Sequence, residues 1–356
     1  MQPMKTGVRL FFTSNRIDVT EEISPDLLSF EFGDKEDGEA DEISITLKDE
    51  TGKWTSIWKP DAGETVKAFI EQGTVKGVDN SLYCDCFYVD SMRASGGSSR
   101  TFEIRGVSVP LKHPIRRKMR SKSWEKETLK AIAQKIAEES KLRFLFDSKT
   151  NPTFDRQDQK NESNLGFLSR LCEEAGLSVK IRDNTLIVFD QSYFESQAPI
   201  TTITLGVSKV ISWDFEVQTD ESYRSVTIKY RDPKQKDSAK YNMDLEKVKQ
   251  NSAVMTYTYI DEEADESAQE FEMKKRAKSI EEAKRLAKAK LRQLNKRTVT
   301  GSMTLVGNLS LVAGAVVRIK GFGSFDGNFI IEQANHSIGS GGYTTGLSLR
   351  RVNTKY

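Results

Sequence analysis

Apolar and polar residues alternate along several short segments in the first third of the chain. In the segment Glu42–Lys48, for example, Ile43, Ile45 and Leu47 occupy every second position. A period of two is typical of a half-buried β-strand, whose successive side chains point to opposite faces. Similar segments predict strands at Val8–Phe12, Leu27–Phe32, Thr65–Glu71, Leu82–Ala94 and Arg100–Val109. Short strands with glycine-containing turns, such as the turn predicted at Ser95–Ser99, favour an antiparallel barrel or sandwich.

The apolar period changes to that of a helix in the middle of the chain. Between Ser123 and Lys141, apolar residues recur three and four positions apart, which predicts an amphipathic helix with Ser123 as its N-cap. A second helix is predicted over Ser163–Ala175, where Gly176 stands in the position of a C-terminal cap. Further elements are predicted at Leu142–Asp147 (a strand) and Ser178–Asp190 (a hairpin). Together these elements predict a small α/β unit.

The last third returns to β-strands and contains one strong helix. This helix is predicted at about residues 279–296, because Ser279 and Glu282 form a capping box ahead of an apolar face. Strands are predicted at Thr201–Leu205, Val210–Gln218, Ser225–Tyr230, Ala253–Ile260, Thr298–Leu305, Ala315–Lys320, Asn328–Glu332 and Thr344–Arg351. The predicted fold is therefore mainly β (α+β). Two β-barrel-like regions, 1–111 and 196–356, flank an α/β unit at 112–195, and the long amphipathic helix is inserted in the second region.

Positive and negative charges are nearly balanced, with 54 Lys and Arg against 52 Asp and Glu. A general attraction to nucleic acid or to a membrane surface is therefore not expected. Charge is concentrated locally, since Glu31–Glu50 is mostly acidic and Lys112–Lys126 is mostly basic. The acidic charges are expected to project outward or fill a loop, and one of the two stretches is expected to face a neighbouring chain. The candidate contact residues are Arg116, Arg117, Lys118 and Arg120.

The sequence carries no feature of membrane insertion or secretion that we can recognise. It has no run of 18 or more apolar residues, so no integral membrane segment is expected. The early apolar patch Val8–Phe12 is too short for a signal peptide. We therefore expect the protein to be made in a cytoplasm and to leave it only as part of a larger machine.

Metal and cofactor motifs are also not recognisable. Cys84 and Cys86 would point to the same face of a strand, but no second cysteine pair completes a zinc spacing. These two residues and Cys172 are interpreted as small apolar fillers. The glycine-rich segment Gly321–Gly327 lies between two predicted strands, so we interpret it as a hairpin turn and not as a phosphate-binding loop. No metal and no cofactor are therefore expected.

Few residues suit catalysis. His113 and His336 lack the local signature of an acyl-transfer site, and His336 is interpreted as a hydrogen-bonded turn residue. The pairs Glu173–Glu174 and Glu281–Glu282 are adjacent on predicted helices, where neighbouring side chains do not face each other. No catalytic residue is assigned. A hydrolase with carboxylates from distant segments stays open as an alternative, and the basic run Lys274–Lys278 leaves nucleic-acid binding as a weaker one.

A longer motif, from Phe154 to Leu177, resembles a known family. It contains a glutamine, an acidic–serine pair, a Phe-Leu step, an Arg-Leu step and a final Ala-Gly. The matching residues are Gln159, Glu162, Ser163, Phe167, Leu168, Arg170, Leu171, Ala175 and Gly176. This pattern resembles the phage late control gene D family of contractile-tail baseplate hubs, which is related to the hub part of VgrG. Asn164 departs from the family's usual aromatic or acidic residue, whereas 117–136 and 313–345 are also similar to family segments.

The resemblance implies a structural, non-enzymatic protein in the tail baseplate of a contractile phage or of a phage-tail-like injection particle. It implies a homotrimer with two tube-like barrels per chain, which joins a sixfold tail tube to a threefold central spike. The implied partners are a separate spike protein, the tail tube protein, other baseplate components and, as a further candidate, the tape measure protein, but not nucleic acid. A cell-wall-degrading tail enzyme and a nucleic-acid-binding protein are the alternatives.

Overall fold

The computed structural model describes residues 6–12, 17–38, 40–73, 80–109, 113–218, 222–230, 255–262, 264 and 266–352. Within these residues the protein is mainly β, as predicted. Its strands form one thirteen-stranded sheet, one two-stranded sheet and two three-stranded sheets. No helix among the described residues is both long enough and apolar enough to cross a membrane.

The first third of the chain forms seven strands and one short helix around an apolar core. The alternating residues Ile43, Ile45 and Leu47 all point into this core, together with Phe30 and Phe32. The elements are β1 (Thr6–Phe12), β2 (Ile17–Asp18), α1 (Thr20–Ile23), β3 (Leu27–Lys35), β4 (Glu42–Lys48), β5 (Thr65–Gln72), β6 (Ser81–Ser95) and β7 (Thr101–Val107). Each strand predicted in this region is confirmed, and β3 continues three residues beyond its predicted end.

The expectation that Cys84 and Cys86 share a face is wrong. The register between β5 and β6 shifts at this point, because Ala68 lies opposite Asp85 whereas Phe69 lies opposite Tyr83. Cys84 is thus the extra residue of a β-bulge, which breaks the alternation of side chains. As a result Cys84 and Asp85 are both buried, while Cys86 is only half-buried.

The middle of the chain forms a second apolar core. Its elements are α2 (Pro114–Arg117), β8 (Met119–Thr128), α3 (Leu129–Glu139), β9 (Arg143–Asp147), β10 (Thr153–Ser163), α4 (Asn164–Ala175), β11 (Ser178–Arg182), β12 (Thr185–Phe189) and α5 (Gln191–Glu195). Helix α4 begins and ends as predicted. The Ser163 hydroxyl accepts a hydrogen bond from the Gly166 amide at 3.1 Å, and Gly176 adopts the left-handed conformation with φ of 75°.

The predicted start of the first middle helix, at Ser123, is wrong. Ser123 lies within strand β8, and α3 begins at Leu129 with Thr128 as its N-cap. The Thr128 hydroxyl accepts a hydrogen bond from the Ala131 amide at 3.1 Å. Strands β8 and β10 form an isolated two-stranded ribbon whose side chains are mostly polar and exposed. Because such a ribbon shows no alternation of apolar residues, the sequence pattern did not reveal either strand.

The last third forms two separately packed units, whereas the sequence predicted one β region with an inserted helix. Its elements are β13 (Thr201–Thr204), β14 (Val210–Val217), β15 (Tyr223–Tyr230), β16 (Met255–Ile260), β17 (Gln269–Ala277), α6 (Ile280–Asn295), β18 (Val299–Val306), β19 (Val316–Lys320), β20 (Gly327–Gly339) and β21 (Gly342–Arg351). Strands β13, β14 and β18 to β21 enclose one core. Strands β15 to β17 form a separate sheet whose apolar face is covered by α6.

The helix α6 begins as predicted but with a modified cap. The Ser279 hydroxyl accepts a hydrogen bond from the Glu282 amide at 3.2 Å. Glu282 reaches back to the amide of Lys278 at 2.8 Å, and not to that of Ser279 as a capping box would require. The strand β17, which precedes the helix, was not predicted because its sequence is dominated by charged residues.

The two β-rich regions at the ends of the chain share one sheet. The strand order is β14-β18-β21-β20-β3-β4-β7-β6-β5-β1-β2, with β13 and β19 attached through β20. The join is the antiparallel pairing of β20 with β3, from Gln333 opposite Lys35 to Ile338 opposite Phe30. This long-range pairing holds the first and last thirds side by side.

Candidate assembly site

The four predicted contact residues lie on one short stretch around α2, but they differ in availability. Arg116 is half-buried and donates a hydrogen bond to the Val109 carbonyl at 3.3 Å. Arg120 pairs with Glu139 at 2.5 Å. Arg117 and Lys118 are exposed, and neither forms an ion pair with any residue that the structure describes. Two of the four cations are therefore free to meet a partner.

The acidic stretch differs from its expected arrangement. Glu31 is exposed, as expected, and Glu36 and Asp41 lie in the connection between β3 and β4. However, Asp34, Glu36 and Asp41 are all buried, and Asp34 lies within strand β3 itself. Glu36 and Asp41 fill a loop, which was one of the two expected arrangements, whereas the expectation is wrong for Asp34, which is buried within a strand. Cations and amides from distant parts of the chain compensate the buried charges.

A first buried joint is centred on Lys180 of strand β11. Its ammonium group lies 2.9 Å from the carboxylate of Asp34 and 3.1 Å from that of Asp41. Asp34 also accepts a hydrogen bond from the Ala313 amide at 2.8 Å. Burial raises the pKa of Asp41 to about 6, although the attraction of Lys180 opposes the shift. The joint connects the first third, the middle unit and the last third of the chain.

A second buried joint is centred on Arg350 of strand β21. Its guanidinium lies 3.3 Å from Glu36, 2.6 Å from Glu195 and 3.2 Å from Glu332. Burial alone would lower the pKa of Arg350, but the three surrounding carboxylates raise it overall. Two outer cations complete the network, since Arg292 of α6 pairs with Glu195 at 2.8 Å and Arg297 pairs with Glu332 at 3.2 Å. Three guanidiniums thus balance three carboxylates.

The two joints connect separate parts of the chain, and we assign them a structural role and not a catalytic one. Together they contact β3, β11, α5, α6, β20 and β21, so each of the four apolar cores among the described residues contributes a charged side chain. A buried ion pair that loses one partner leaves an uncompensated charge, which costs several kcal/mol. We therefore expect the joints to oppose displacement of the cores relative to one another.

The thirteen-stranded sheet ends in free edges. Strand β14 pairs only with β18 among the strands that the structure describes, and it exposes Ile211, Trp213 and Val217. The strand order ends on the other side at the two-residue strand β2. Within the sheet, β6 pairs with β5 only as far as Tyr88, so its second half, residues 90–95, keeps one unpaired side among the described strands. Exposed edges with apolar side chains are templates for pairing with another chain.

The residues considered for catalysis are all engaged in structural contacts. His336 lies in the middle of strand β20, fully buried, with Nδ1 2.7 Å from the Tyr343 hydroxyl. Its interpretation as a turn residue is wrong, whereas its hydrogen bonding is confirmed, and burial lowers its pKa to about 4. His113 caps α2 by accepting a hydrogen bond from the Ile115 amide at 3.4 Å. Among the described residues, no cluster of His, Cys, Asp or Glu could hold a metal ion.

The carboxylates and the basic run considered earlier pair with each other across α4, β17 and α6. Glu174 lies 2.5 Å from Lys275, and Glu173 accepts a hydrogen bond from Gln293. Lys278 pairs with Asp155 of the β8–β10 ribbon. Within the basic run, Lys275 therefore connects β17 to α4 and Lys278 connects it to the ribbon, whereas Lys274 and Arg276 are exposed.

Comparison with known proteins gives one family. The family model described as phage tail baseplate hub (GPD) matches residues 88–342, which is most of the chain. The probable baseplate hub protein of Escherichia phage 186 is 26% identical over 95% of this chain and 91% of its own length. The probable baseplate hub protein of Escherichia phage P2 is 29% identical over 61% of this chain and 55% of its own length.

A solved structure supports the same fold. The tail protein from Neisseria meningitidis MC58 is similar to this chain with a TM-score of 0.70 at 14% identity. The similarity covers 97% of this chain and 96% of the Neisseria chain. The shared arrangement therefore includes all of the parts described above, and not the middle motif alone.

Proposed function

Because the chain belongs to the phage tail baseplate hub family, and is therefore a hub of the tail baseplate, we propose that it works there as a non-enzymatic homotrimer. In this proposal three chains form a ring that joins a sixfold tail tube to a threefold spike. The regions 1–111 and 196–356 of each chain supply two tube-like barrels, so that three chains supply six. The region 112–195 braces them from the side. The proposed partners are the tail tube protein, a separate spike protein and other baseplate components.

The observation that carries the proposal is the open sheet with free edges. Among the described strands, β14, β13 and β2 each have a single neighbour, and residues 90–95 of β6 have one unpaired side. The proposal uses β14, whose exposed side chains are apolar, and the unpaired side of β6. Contacts between two different edges are head-to-tail, and head-to-tail contacts generate a ring when the rotation between subunits closes. We therefore place β14 of one chain beside the second half of β6 of the next.

This arrangement also explains the internal pairing of β20 with β3. That pairing joins the two β-rich regions within one chain, edge to edge, by main-chain hydrogen bonds. A ring of six β regions needs six such joins. Three are the β20–β3 pairings within the chains, and the other three are the proposed contacts between chains.

The edge contact is tested by charge substitution on β14. The double variant Ile211→Lys and Val217→Lys should convert the trimer to monomers in sedimentation velocity, because buried unpaired lysines are costly at an interface. Circular dichroism should remain unchanged, since both side chains are exposed in the single chain. The matched control is Leu145→Lys, at an exposed leucine of β9 away from either edge. A double variant that still forms trimers would rule out β14 as the contact.

The exposed cations of the basic stretch are proposed as a second contact surface, toward the spike or a neighbouring hub chain. Among Arg116, Arg117, Lys118 and Arg120, the proposal now rests on the two central residues, because the outer two are engaged within the chain. Reversing Arg117 and Lys118 to Glu should slow particle assembly while the folded chain survives. If particles assemble from this double variant at the normal rate, the basic stretch is not part of the interface.

A further inference from the structure

The two edges that meet in the proposed ring belong to one continuous row of strands. The row is β14-β18-β21-β20-β3-β4-β7-β6, eight strands in which every neighbouring pair is antiparallel. Because eight is an even number, the first and last strands of the row run in opposite directions. Strand β14 of one chain, placed beside the second half of β6 in the next chain, therefore continues the antiparallel alternation.

The apolar faces of these two edges are compatible. On β6, Met92 lies opposite Ile104 and packs against the core of the first third. On β14, Phe215 packs against the core of the last third, and Trp213 meets the Phe322 ring edge-on at 5.2 Å between centroids. Each edge thus ends in apolar side chains that point toward the core of its own region.

The two cores lie on the same side of the row of strands. Ala334 of β20 belongs to the core of the last third, and His336 follows it on the same face of that strand. His336 lies opposite Phe32 of β3, which belongs to the core of the first third. A sheet that continues from one chain into the next therefore keeps its apolar side chains on one side and its polar side chains on the other.

On the polar side, the edge formed by β14 carries two negative charges. Asp214 and Glu216 are exposed, and their cross-strand neighbours on β18 are the uncharged Ser302 and Thr300. Neither carboxylate forms an ion pair with any residue that the structure describes. The edge therefore offers two carboxylates, two positions apart on one face, to the strand that pairs with it.

The edge formed by the second half of β6 carries a positive charge on the same polar side. Arg93 is exposed, and its cross-strand neighbour Glu103 is engaged by Arg105 at 2.6 Å. Arg93 itself forms no ion pair within the described part of the chain. The other charged residue of the segment 90–95, Asp90, is the extra residue of a β-bulge and lies outside the alternating row.

We propose that Arg93 of one hub chain pairs with Asp214 and Glu216 of the next chain, and that these charges select which edges meet. Full antiparallel overlap of residues 91–95 with residues 212–216 places Arg93 opposite Asp214 and diagonal to Glu216, and a long side chain reaches both positions. The same register brings apolar residues together on the other face. This assignment rests on the proposed ring.

The charges also oppose a competing arrangement. Two β14 edges brought together would place four carboxylates side by side without a cation, and like charges across an interface cost several kcal/mol. Twofold pairing of β14 with itself is therefore disfavoured, whereas the head-to-tail contact with β6 is favoured. A contact of the second kind leaves one free edge on each chain, so it leads to a ring.

Charge reversal on β14 tests the contact in sedimentation velocity. The double variant Asp214→Lys and Glu216→Lys should raise the protein concentration at which half of the hub is trimeric by at least about tenfold, because three cations then meet at the contact. Adding Arg93→Glu to this variant should restore most of the trimer. The matched control adds Lys284→Glu instead, which changes the net charge equally at an exposed position of α6 and should restore nothing.

The outcome that contradicts the pairing is equally specific. A double variant that forms trimers as readily as the wild type would overturn it, and so would equal recovery with Arg93→Glu and Lys284→Glu. Circular dichroism should match the wild type in every variant, because all of these side chains are exposed in the single chain. The neutral pair Asp214→Asn and Glu216→Gln, which introduces no new charge, should shift the same midpoint in the same direction but less.

The experiment separates this contact from the ring itself. If the trimer forms only with the spike protein, every sample contains the spike. A wild-type hub that forms trimers but is insensitive to the charge reversals would refute the pairing of Arg93 and leave the ring intact. A wild-type hub that stays monomeric, with and without the spike, would refute the ring and this contact together.

Discussion

The cores consist of apolar side chains, whereas the joints between them contain buried charged side chains. Each core is held by apolar side chains such as Phe167, Leu168 and Leu171 around α4. The joints between cores instead contain buried charges, centred on Lys180 and Arg350, in addition to the main-chain pairing of β20 with β3. Apolar packing tolerates small shifts, because it has no preferred direction. We expect a network of buried charges to tolerate less displacement, because a charge that leaves its partner stays buried without compensation.

Removing the central cation of the second joint should have the largest effect. Arg350→Met leaves Glu36, Glu195 and Glu332 buried near one another, which should lower the free energy of unfolding by about 3–5 kcal/mol. Urea denaturation measures the loss. The control is Arg318→Met, at an exposed position of β19, which should change little. A loss below about 1 kcal/mol would mean that the joint is solvated rather than buried.

Truncating a core residue should cost somewhat less. Leu168→Ala in α4 removes a fully buried side chain and should lower the free energy of unfolding by about 2–5 kcal/mol. Leu145→Ala, at a half-exposed leucine, should cost much less. Trimer formation of the folded fraction should then be measured for both Arg350→Met and Leu168→Ala. Arg350→Met should reduce trimer formation. Leu168→Ala should lower the free energy of unfolding but leave trimer formation of the folded protein unchanged. Trimer formation that is reduced by Leu168→Ala and not by Arg350→Met would contradict the different roles of cores and joints.

The buried carboxylates near the first joint predict a pH dependence. Burial raises the pKa of Asp85 to about 7, and Asp41 titrates near 6, whereas an unfolded aspartate titrates near 3.9. Between about pH 4 and 7 the folded state therefore holds protons that the unfolded state has lost. Stability should be greatest at the low end of this window and fall as the pH rises through it.

Asp85→Asn tests this pH dependence. The amide keeps the shape of the side chain but cannot ionise, so the fall in urea midpoint between pH 5 and pH 8 should become smaller than in the wild type. Asp158→Asn, at an exposed carboxylate of the ribbon, should leave the slope unchanged. Identical slopes in the wild type and in Asp85→Asn would show that Asp85 is ionised throughout.

The smallest effect is expected at the helix cap that the sequence misplaced. Thr128→Ala removes the N-cap of α3 and should cost about 1 kcal/mol. Ser123→Ala should cost less, because the Ser123 hydroxyl bonds only solvent-accessible side chains of the ribbon, donating to Asp158 and accepting from Arg156. Thermal unfolding of the two variants measures which of them loses more stability. A larger loss for Ser123→Ala would indicate that Ser123, and not Thr128, is the N-cap.

The core residues could be predicted from the sequence because apolar residues recur there at the spacing of a strand or a helix. The alternation in β4 and the cap of α4 could be read directly, and both are confirmed. The joints are formed by long-range pairs, such as Glu36 with Arg350, which no local pattern brings together. One signal was available, since Asp34 continues the inward positions of Phe30 and Phe32 on β3. A charge on the apolar face of a strand indicates a buried partner.

The ring of three hub chains is tested most directly by the mass of the purified protein. Light scattering should give three times the 40.2 kDa mass of one chain for the hub alone or, if the trimer forms only with the spike protein, that mass plus the mass of the bound spike. The same mass should be lost in the Ile211→Lys and Val217→Lys double variant. A wild-type protein that remains monomeric with the spike bound would contradict the account.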